Sequence, residues 1–244
     1  MPEMAAKLRA ECQSGFANHR SRVQMGRSSD WRGFEPQFPM QRHSASQVAP
    51  PGGSLAKALR DVGACRICEA QLPLGPRPVV QLGSTARILI VGQAPGRKVH
   101  LTGVPWNDAS GDRLRDWLGL DRATFFDATK IALLPMGFCY PGVGKSGGDN
   151  PPRPECAPYW HERLLSFLPE VQLTMLVGQY AHRHYLDLEG KSSVTETVRA
   201  FSKYGPRFFP LPHPSWRSTI WMRKNPWFEA DVIPELRKSV QKCC

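Results

Sequence analysis

Short apolar runs alternate with longer amphipathic stretches along the chain after residue 54. Four runs, each followed by Gly or Pro, predict buried strands at residues 87–91, 128–134, 173–177 and 207–211. Apolar residues at helical spacing predict helices near residue 55 and at residues 110–118, 157–167, 179–186, 193–204 and 227–241. This alternation predicts an α/β fold, a three-layer α/β/α sandwich with a central, mainly four-stranded parallel sheet.

The first 54 residues show no such period and are rich in Arg, Ser, Gln and Pro. A segment without a period offers no continuous apolar face to bury. We therefore expect residues 1–54 to be a disordered N-terminal extension, with a short helix near Met4–Cys12. The predicted folded domain is residues 55–244, which is long enough for one substantial core.

The chain carries a net charge of +11. A basic domain favours a polyanionic partner, nucleic acid above all, although a basic surface that only keeps the protein soluble is the alternative. The sequence has neither an apolar stretch long enough to cross a bilayer nor a secretory pattern at its start. Seven cysteines in spacings unlike a secreted framework favour a reducing compartment. We expect a cytoplasmic monomer without membrane contact.

Two polar turns follow predicted strands that lie far apart in the chain. Gly92-Gln93-Ala94-Pro95-Gly96 follows the first strand, and His213-Pro214-Ser215 follows the fourth. Because the carboxyl ends of parallel strands meet in one crevice, both turns are predicted to face a single small molecule. Glycines let backbone N–H groups approach an anion or a planar ligand, and the flanking prolines restrict the backbone of the histidine.

Residues 103–111 add an aromatic ring and a carboxylate between these turns. Trp106 is suited to stacking on a base, although a tryptophan packed in the core is the alternative. Asp108 is suited to orienting or deprotonating a water. The alternative for Asp108 is a carboxylate that merely stabilises a helix N-terminus.

Four cysteines have spacings typical of metal ligands. Cys65 and Cys68 form a C-x2-C pair, whereas Cys139 and Cys156 flank a Pro- and Gly-rich loop predicted at residues 135–154. Four thiolates suit either a 4Fe–4S cluster or a tetrahedral zinc ion.

The two turns, in this order and in these strand contexts, resemble the motifs of the uracil-DNA glycosylase superfamily over residues 60–240. The resemblance implies that the first turn holds an extruded base through Gly92, Gln93, Ala94 and Gly96. It implies that Trp106 stacks on that base and that Ser215 belongs to the substrate-binding second motif.

The same resemblance implies a catalytic set of His213, Asp108 and Gln93. His213 matches the histidine that hydrogen-bonds uracil O2 as negative charge develops. Asp108 begins an Asp-Ala-Ser-Gly stretch similar to one in a thermophile branch, where the aspartate positions the hydrolytic water. The main branch keeps its aspartate in the first turn, where this chain has Ala94. Pro135 stands where an asparagine is expected to read uracil, which leaves room for hypoxanthine or xanthine as substrates.

The resemblance also favours iron over zinc, because the iron–sulfur branch has a similar set of four cysteines. It implies that the loop after His213 enters DNA. Phosphate contacts are predicted for the basic residues Arg217, Arg223 and Lys224. The gap left by the base is predicted to be filled by an apolar side chain of the same loop, that of Ile220, Trp221 or Met222. Of these three, Trp221 is predicted to bind DNA. A loop folded back on the core is the alternative.

The sequence thus predicts a DNA glycosylase of base-excision repair that hydrolyses the N-glycosidic bond of uracil or another deaminated base and leaves an abasic site. Such a protein would be associated with the bacterial nucleoid through DNA. A catalytically diverged protein that only recognises damage is the first alternative. A small-molecule α/β hydrolase is the second, although it gives the basic loop after His213 no role.

Overall fold

Four short apolar strands pair in parallel, in the order β2-β1-β3-β4. The structure is a computed structural model that describes residues 53–144, 147–186, 188 and 192–244. The strands are β1 (Ile88–Val91), β2 (Ile131–Leu133), β3 (Leu173–Val177) and β4 (Phe208–Leu211). Every residue of the first three strands is buried, as expected for a parallel sheet covered on both faces. Pro210 lies in β4 at the sheet edge, where a strand tolerates proline.

Helices fill the connections between the strands. They are α1 (Leu55–Gly63), α2 (Arg97–Thr102), α3 (Ala109–Leu118), α4 (Arg122–Phe125), α5 (Cys156–Leu165), α6 (Gln179–Tyr185), α7 (Val194–Arg199), α8 (Arg217–Lys224) and α9 (Ile233–Cys243). Two short 3₁₀ segments and one π-helical turn complete the elements: Glu69–Gln71, Phe201–Tyr204 and Phe228–Val232.

Alternate strand residues build two separate cores. Ile88 and Ile90 of β1 face a cluster formed with α3, α4, α7 and α9. Leu89 and Val91 face the opposite cluster, formed with α1, α5 and α6. Helices therefore cover both faces of one parallel sheet, and the predicted three-layer α/β/α sandwich is confirmed.

The strand order places a crevice at the middle of the sheet. From β1 the chain moves outward to β2 and then crosses back to β3, so the connections diverge between the carboxyl ends of β1 and β3. Gly92 follows β1 and Gly178 follows β3 at this point. Gly178 has a φ of +88°, and a Cβ there would lie 3.5 Å from the Cβ of His213. A larger residue would crowd the crevice that the topology creates.

Several boundaries differ from the predictions for physical reasons. Residues 217–224 form helix α8, although the sequence predicted a loop, because basic residues interleaved with apolar ones hide the helical period. Helix α3 is capped by Asp108 rather than starting at Ser110. The predicted last helix begins as a π-helical turn at Phe228–Val232. The short helices α2 and α4 were not predicted, since they span too few residues to show a period.

The N-terminal prediction lies almost entirely outside the described residues. Residues 1–52, including the predicted helix at Met4–Cys12, are not among them. Helix α1 begins at Leu55, the predicted domain start, and the Ser54 hydroxyl caps it by accepting the backbone N–H of Lys57. Within the described ranges, no helix is both long and apolar enough to cross a membrane.

Candidate active site

The first turn is held by the chain that follows β2. The carbonyls of Gly92 and Gln93 accept the backbone N–H groups of Met136 and Gly137, at 2.8 and 2.9 Å. The Gln93 side chain is fixed separately, because its Nε2 donates to the Asn150 carbonyl at 3.1 Å. This bond uses the amide nitrogen of Gln93 and leaves its Oε1 as an acceptor.

Trp106 lies between the two turns in an uncommon backbone conformation. It is a non-glycine residue at positive φ, +55°. Buried Arg115 donates to its carbonyl at 3.3 Å. The indole ring lies so close to Gly92 that a Cβ there would be 2.7 Å from Cζ2, and its centroid is 6.0 Å from that of His213. Trp106 also packs at the edge of the core, which was the alternative interpretation from the sequence, and its stacking on a base stays a prediction.

Asp108 has two functions on its two carboxylate oxygens. As the N-cap of α3 it accepts the Gly111 N–H on Oδ1 at 2.9 Å, which is the helix-terminus role anticipated as the alternative. Its Oδ2 faces the first turn, 3.9 Å from where a Cβ on Gly96 would lie. The cap therefore fixes the orientation of an oxygen that reaches the crevice.

His213 is half-buried and faces Trp106. Burial lowers the pKa of its imidazole, and the nearby Asp108 carboxylate opposes that shift only in part. The ring is consequently neutral at neutral pH and carries one N–H donor. Two side chains hold the backbone of this turn: the Ser218 hydroxyl donates to the His213 carbonyl, and the Arg113 guanidinium donates to the Ser215 carbonyl.

A hairpin that the sequence did not predict closes one side of the site. Residues 141–150, here called the 141–150 hairpin, are joined by backbone bonds from Gly144 to Gly148 and from Asn150 to Gly142, at 2.7 and 2.8 Å. The hairpin supplies the carbonyl that holds Gln93. It also carries Asp149, whose Oδ2 lies 3.4 Å from where a Cβ on Gly96 would lie. The sequence held one signal, an acidic residue in a loop that starts at a strand end.

Pro135 follows β2 on the sheet face that includes Gly92. Ile131 and Leu133 point to the same core as α3, so strand alternation places Pro135 on that side. Its carbonyl accepts a hydrogen bond from His161 Nε2 at 3.0 Å. Burial lowers the pKa of His161 to about 4, so the ring is neutral at neutral pH. Pro135 thus offers the crevice neither an amide side chain nor a backbone N–H.

The four predicted ligand cysteines line one cavity. Cys65, Cys68, Cys139 and Cys156 surround it with Arg66, Pro76, Pro78, Gly137, Phe138 and Arg153. The backbone N–H of Phe138 donates to the Cys156 sulfur at 3.4 Å, and the backbone of Arg77 hydrogen-bonds the Cys139 sulfur. Burial raises the pKa of Cys139 to about 11 and that of Cys156 to about 12. Among the described residues, no three His, Cys, Asp or Glu side chains are placed to hold a single metal ion.

Helix α8 divides its predicted DNA-binding residues between two sides. Arg217, Arg223 and Lys224 are exposed, as are Trp216 (67%) and Ile220 (53%) one helical turn apart. Trp221 faces the other way.

The Trp221 side chain is anchored inside the protein. Its indole N–H donates to Thr195 Oγ1 at 2.8 Å, and its ring packs edge-on against Trp227 and Phe228. Met222 also packs against the core. Of the three residues predicted to fill the gap left by the base, only Ile220 is exposed, and Trp216 is exposed on the same side of α8.

The structure therefore gathers the first turn, Trp106, Asp108 and His213 at the carboxyl edge of the sheet. A comparison with protein families gives a match to the model described as the uracil DNA glycosylase superfamily, over residues 80–237. The matched segment is well over half of the chain and includes both turns, the 141–150 hairpin and α8. Cys65 and Cys68 precede it.

We predict that Gly111→Ala destabilises the protein. Gly111 touches the Trp106 backbone so closely that an added Cβ would overlap the Trp106 carbonyl, and overpacking of this kind costs roughly 1–3 kcal/mol. Chemical denaturation should show that loss in the free energy of unfolding. Gly63→Ala is the matched control, since nothing lies within 4 Å of its added Cβ. Equal stability of the two variants would contradict the packing assigned to Trp106.

Proposed function

The chain belongs to the uracil DNA glycosylase superfamily, and on that basis we propose that it hydrolyses the N-glycosidic bond of uracil or a related deaminated base in DNA. Membership makes it a DNA glycosylase, a hydrolase of base-excision repair. The observation that most supports the proposed substrate class is that Trp106, Asp108 and His213 meet beside Gly92 at the crevice.

The base must leave the duplex before its glycosidic bond can enter this crevice. Because Gly92 and Gly178 have no side chains, a planar ring can approach the backbone at the ends of β1 and β3. Trp106 supplies an aromatic surface whose backbone is already held in place by Arg115. Because that geometry exists before the base arrives, capture requires little reordering of the protein.

Gln93 supports a preference for deaminated bases. One N–H of its Nε2 is engaged by the Asn150 carbonyl, which orients the amide and leaves Oε1 as an acceptor. Deamination of cytosine or adenine replaces a ring-nitrogen acceptor with an N–H donor. An acceptor at that ring position would fit uracil and hypoxanthine better than their parent bases, without the asparagine that Pro135 replaces.

His213 acts on the leaving base. As the C–N bond breaks, the base takes the electron pair and becomes anionic. A neutral imidazole donates its N–H to that anion without the cost of burying a second charge. Asp108 Oδ2 is oriented by its cap toward the same space and can hold the attacking water.

The residues around the cysteine cavity fit a 4Fe–4S cluster, which we propose as the cofactor. Four cysteine thiolates suit either a cluster or a zinc ion, and the resemblance of the cysteine spacing to the iron–sulfur branch favours the cluster. Iron would hold Cys139 and Cys156 as thiolates despite their raised pKa values, and the N–H groups directed at both sulfurs suit thiolate ligands.

The role proposed for the cluster is structural. It would join the Cys65–Cys68 segment to the two ends of the stretch from Cys139 to Cys156, and this stretch contains the 141–150 hairpin. The hairpin positions Gln93 through the Asn150 carbonyl. A cluster would thereby stabilise the crevice from a distance.

We predict that the purified protein releases a deaminated base and leaves alkali-sensitive abasic sites. Single-turnover assays should compare uracil, hypoxanthine and xanthine in single- and double-stranded DNA. His213→Ala should slow release by about 10²–10³-fold, the usual effect of losing one donor to a developing anion. Asp108→Asn keeps the cap and should slow release by about 10²–10⁴-fold.

Two results would contradict this function. Failure to release any base from the panel would exclude glycosylase activity on these substrates. Tight binding to uracil DNA without release would instead assign the chain to damage recognition, a role that Pro135 and Ala94 would then explain.

The cluster predicts iron and acid-labile sulfide in equal amounts and broad visible absorption. Cys139→Ala and Cys156→Ala should abolish both and lower the melting temperature. Cys244→Ala, which removes an exposed terminal thiol, should change neither. Zinc without iron in anaerobically purified protein would exclude the cluster.

For DNA binding, Trp216 rather than Trp221 is predicted to matter. Trp216→Ala should weaken binding about 5- to 100-fold, because a stacking contact is worth roughly 1–3 kcal/mol, and should leave stability unchanged. Trp221→Ala should instead lower stability, since it removes a packed ring and a hydrogen bond. Fluorescence anisotropy and thermal unfolding separate the two effects, and the reverse pattern would refute the assignment.

A further inference from the structure

Two carboxylates face each other across the first turn, and only one of them has a role so far. Asp149 Oδ2 lies 3.4 Å, and Asp108 Oδ2 lies 3.9 Å, from the position that a Cβ on Gly96 would occupy. Glycine leaves that position without a side chain. The two oxygens therefore border one small space directly above the turn that the extruded base would contact.

The two carboxylates are held in different ways. Asp108 is anchored through Oδ1 to the Gly111 N–H at the start of α3. Asp149 sits on the rim of the site, where partial desolvation, and then the negative charge of Asp108, raise the pKa of its carboxyl group. A carboxyl group that binds a proton more readily than an ordinary aspartate thus lies opposite one that is fixed by a helix cap.

The Asp149 carboxylate is placed by the hairpin without being part of the hairpin's framework. Backbone bonds and the Asn150 side chain, which donates to the Pro141 carbonyl at 3.0 Å, fold the segment. Arg217 of α8 approaches the hairpin at Gly148, with Nη1 3.3 Å from where a Cβ would lie. The charged groups near Asp149 are therefore Asp108, whose charge acts on the pKa of Asp149, and the Arg217 guanidinium, which lies beside Gly148.

We propose that Asp149 is a second catalytic carboxylate, which holds the attacking water together with Asp108 and takes its proton. This inference rests on the proposed function. In the reaction, the water oxygen bonds to the sugar C1′ as the C1′–N bond breaks, and the bond's electron pair leaves with the base. The water's proton passes to Asp149. Asp149 then returns the proton to the released base, and the carboxylate is regenerated.

The pH dependence has a defined sign. A general base works only when deprotonated, so base release should be fast above the pKa of Asp149 and slow below it. Because that pKa is raised, the loss should begin at a higher pH than an ordinary aspartate would give. In Asp149→Asn this acid limb should be lost, because an amide cannot take the proton of the water.

The test compares Asp149→Asn with Asp116→Asn, a matched removal of one negative charge at an exposed position on α3. Single-turnover base release should fall by about 10²–10⁴-fold in Asp149→Asn and stay unchanged in Asp116→Asn. The DNA affinity of Asp149→Asn should equal or exceed that of the wild type, because the substitution removes a negative charge that would repel phosphates. A merely structural role would weaken DNA binding as well. Carboxyl NMR titration should show the pKa of Asp149 falling when Asp108→Asn is introduced.

The possible results distinguish the role of Asp149 from the proposed glycosylase function on which it rests. Wild-type activity with an unaffected Asp149→Asn variant overturns the inference alone. An Asp149 pKa that is unchanged by Asp108→Asn also overturns the inference alone, because the two carboxylates would then not border one space. Absence of base release by the wild type overturns both. A slow Asp149→Asn variant with intact DNA binding and without the acid limb of the wild type supports the second carboxylate.

Discussion

The close approach of the Trp106 ring to the bare backbone of Gly92 is the contact on which the rest of the site depends. A glycine follows each of the two central strands of the parallel sheet, so side chains from other elements can contact the backbone at the strand ends. Trp106 uses that space from one side and His213 from the other. With any larger residue at 92, the ring would be displaced, and the two turns would no longer enclose a planar ligand.

The start of α3 links stability to chemistry. Asp108 stabilises the helix with one oxygen and reaches the crevice with the other, while Gly111 and Arg115, one and two turns into the helix, hold the Trp106 backbone. One helix terminus thus orients an aromatic ring and a carboxylate together. Changes that loosen this terminus are expected to affect folding and base release together, so stability must be measured beside every rate.

Sequence reasoning succeeded where the information is local. Buried runs such as 173–177 and the turn at His213 could be identified from their own residues, and the fold class followed from their alternation. It failed where a residue's role depends on the rest of the fold. The sequence predicted that Trp221 enters DNA and did not single out Trp216, and only the packing of Trp221 on Trp227 and Phe228 distinguishes the two rings. Asp149 has only a weak local signature, an acidic residue in a loop after a strand, because its position opposite Asp108 is set by the path of a hairpin.

The hairpin connects the two chemically distinctive parts of the protein. Its flanks carry two of the cavity cysteines, and its last residue holds Gln93 in the crevice. The most direct test of the proposed site is a crystal structure with DNA that contains a hydrolysis-resistant 2′-fluorinated deoxyuridine. We predict an extruded uracil ring between the 92–96 turn and His213, against Trp106. A uracil that remains stacked in the duplex, or that binds away from this crevice, would contradict it.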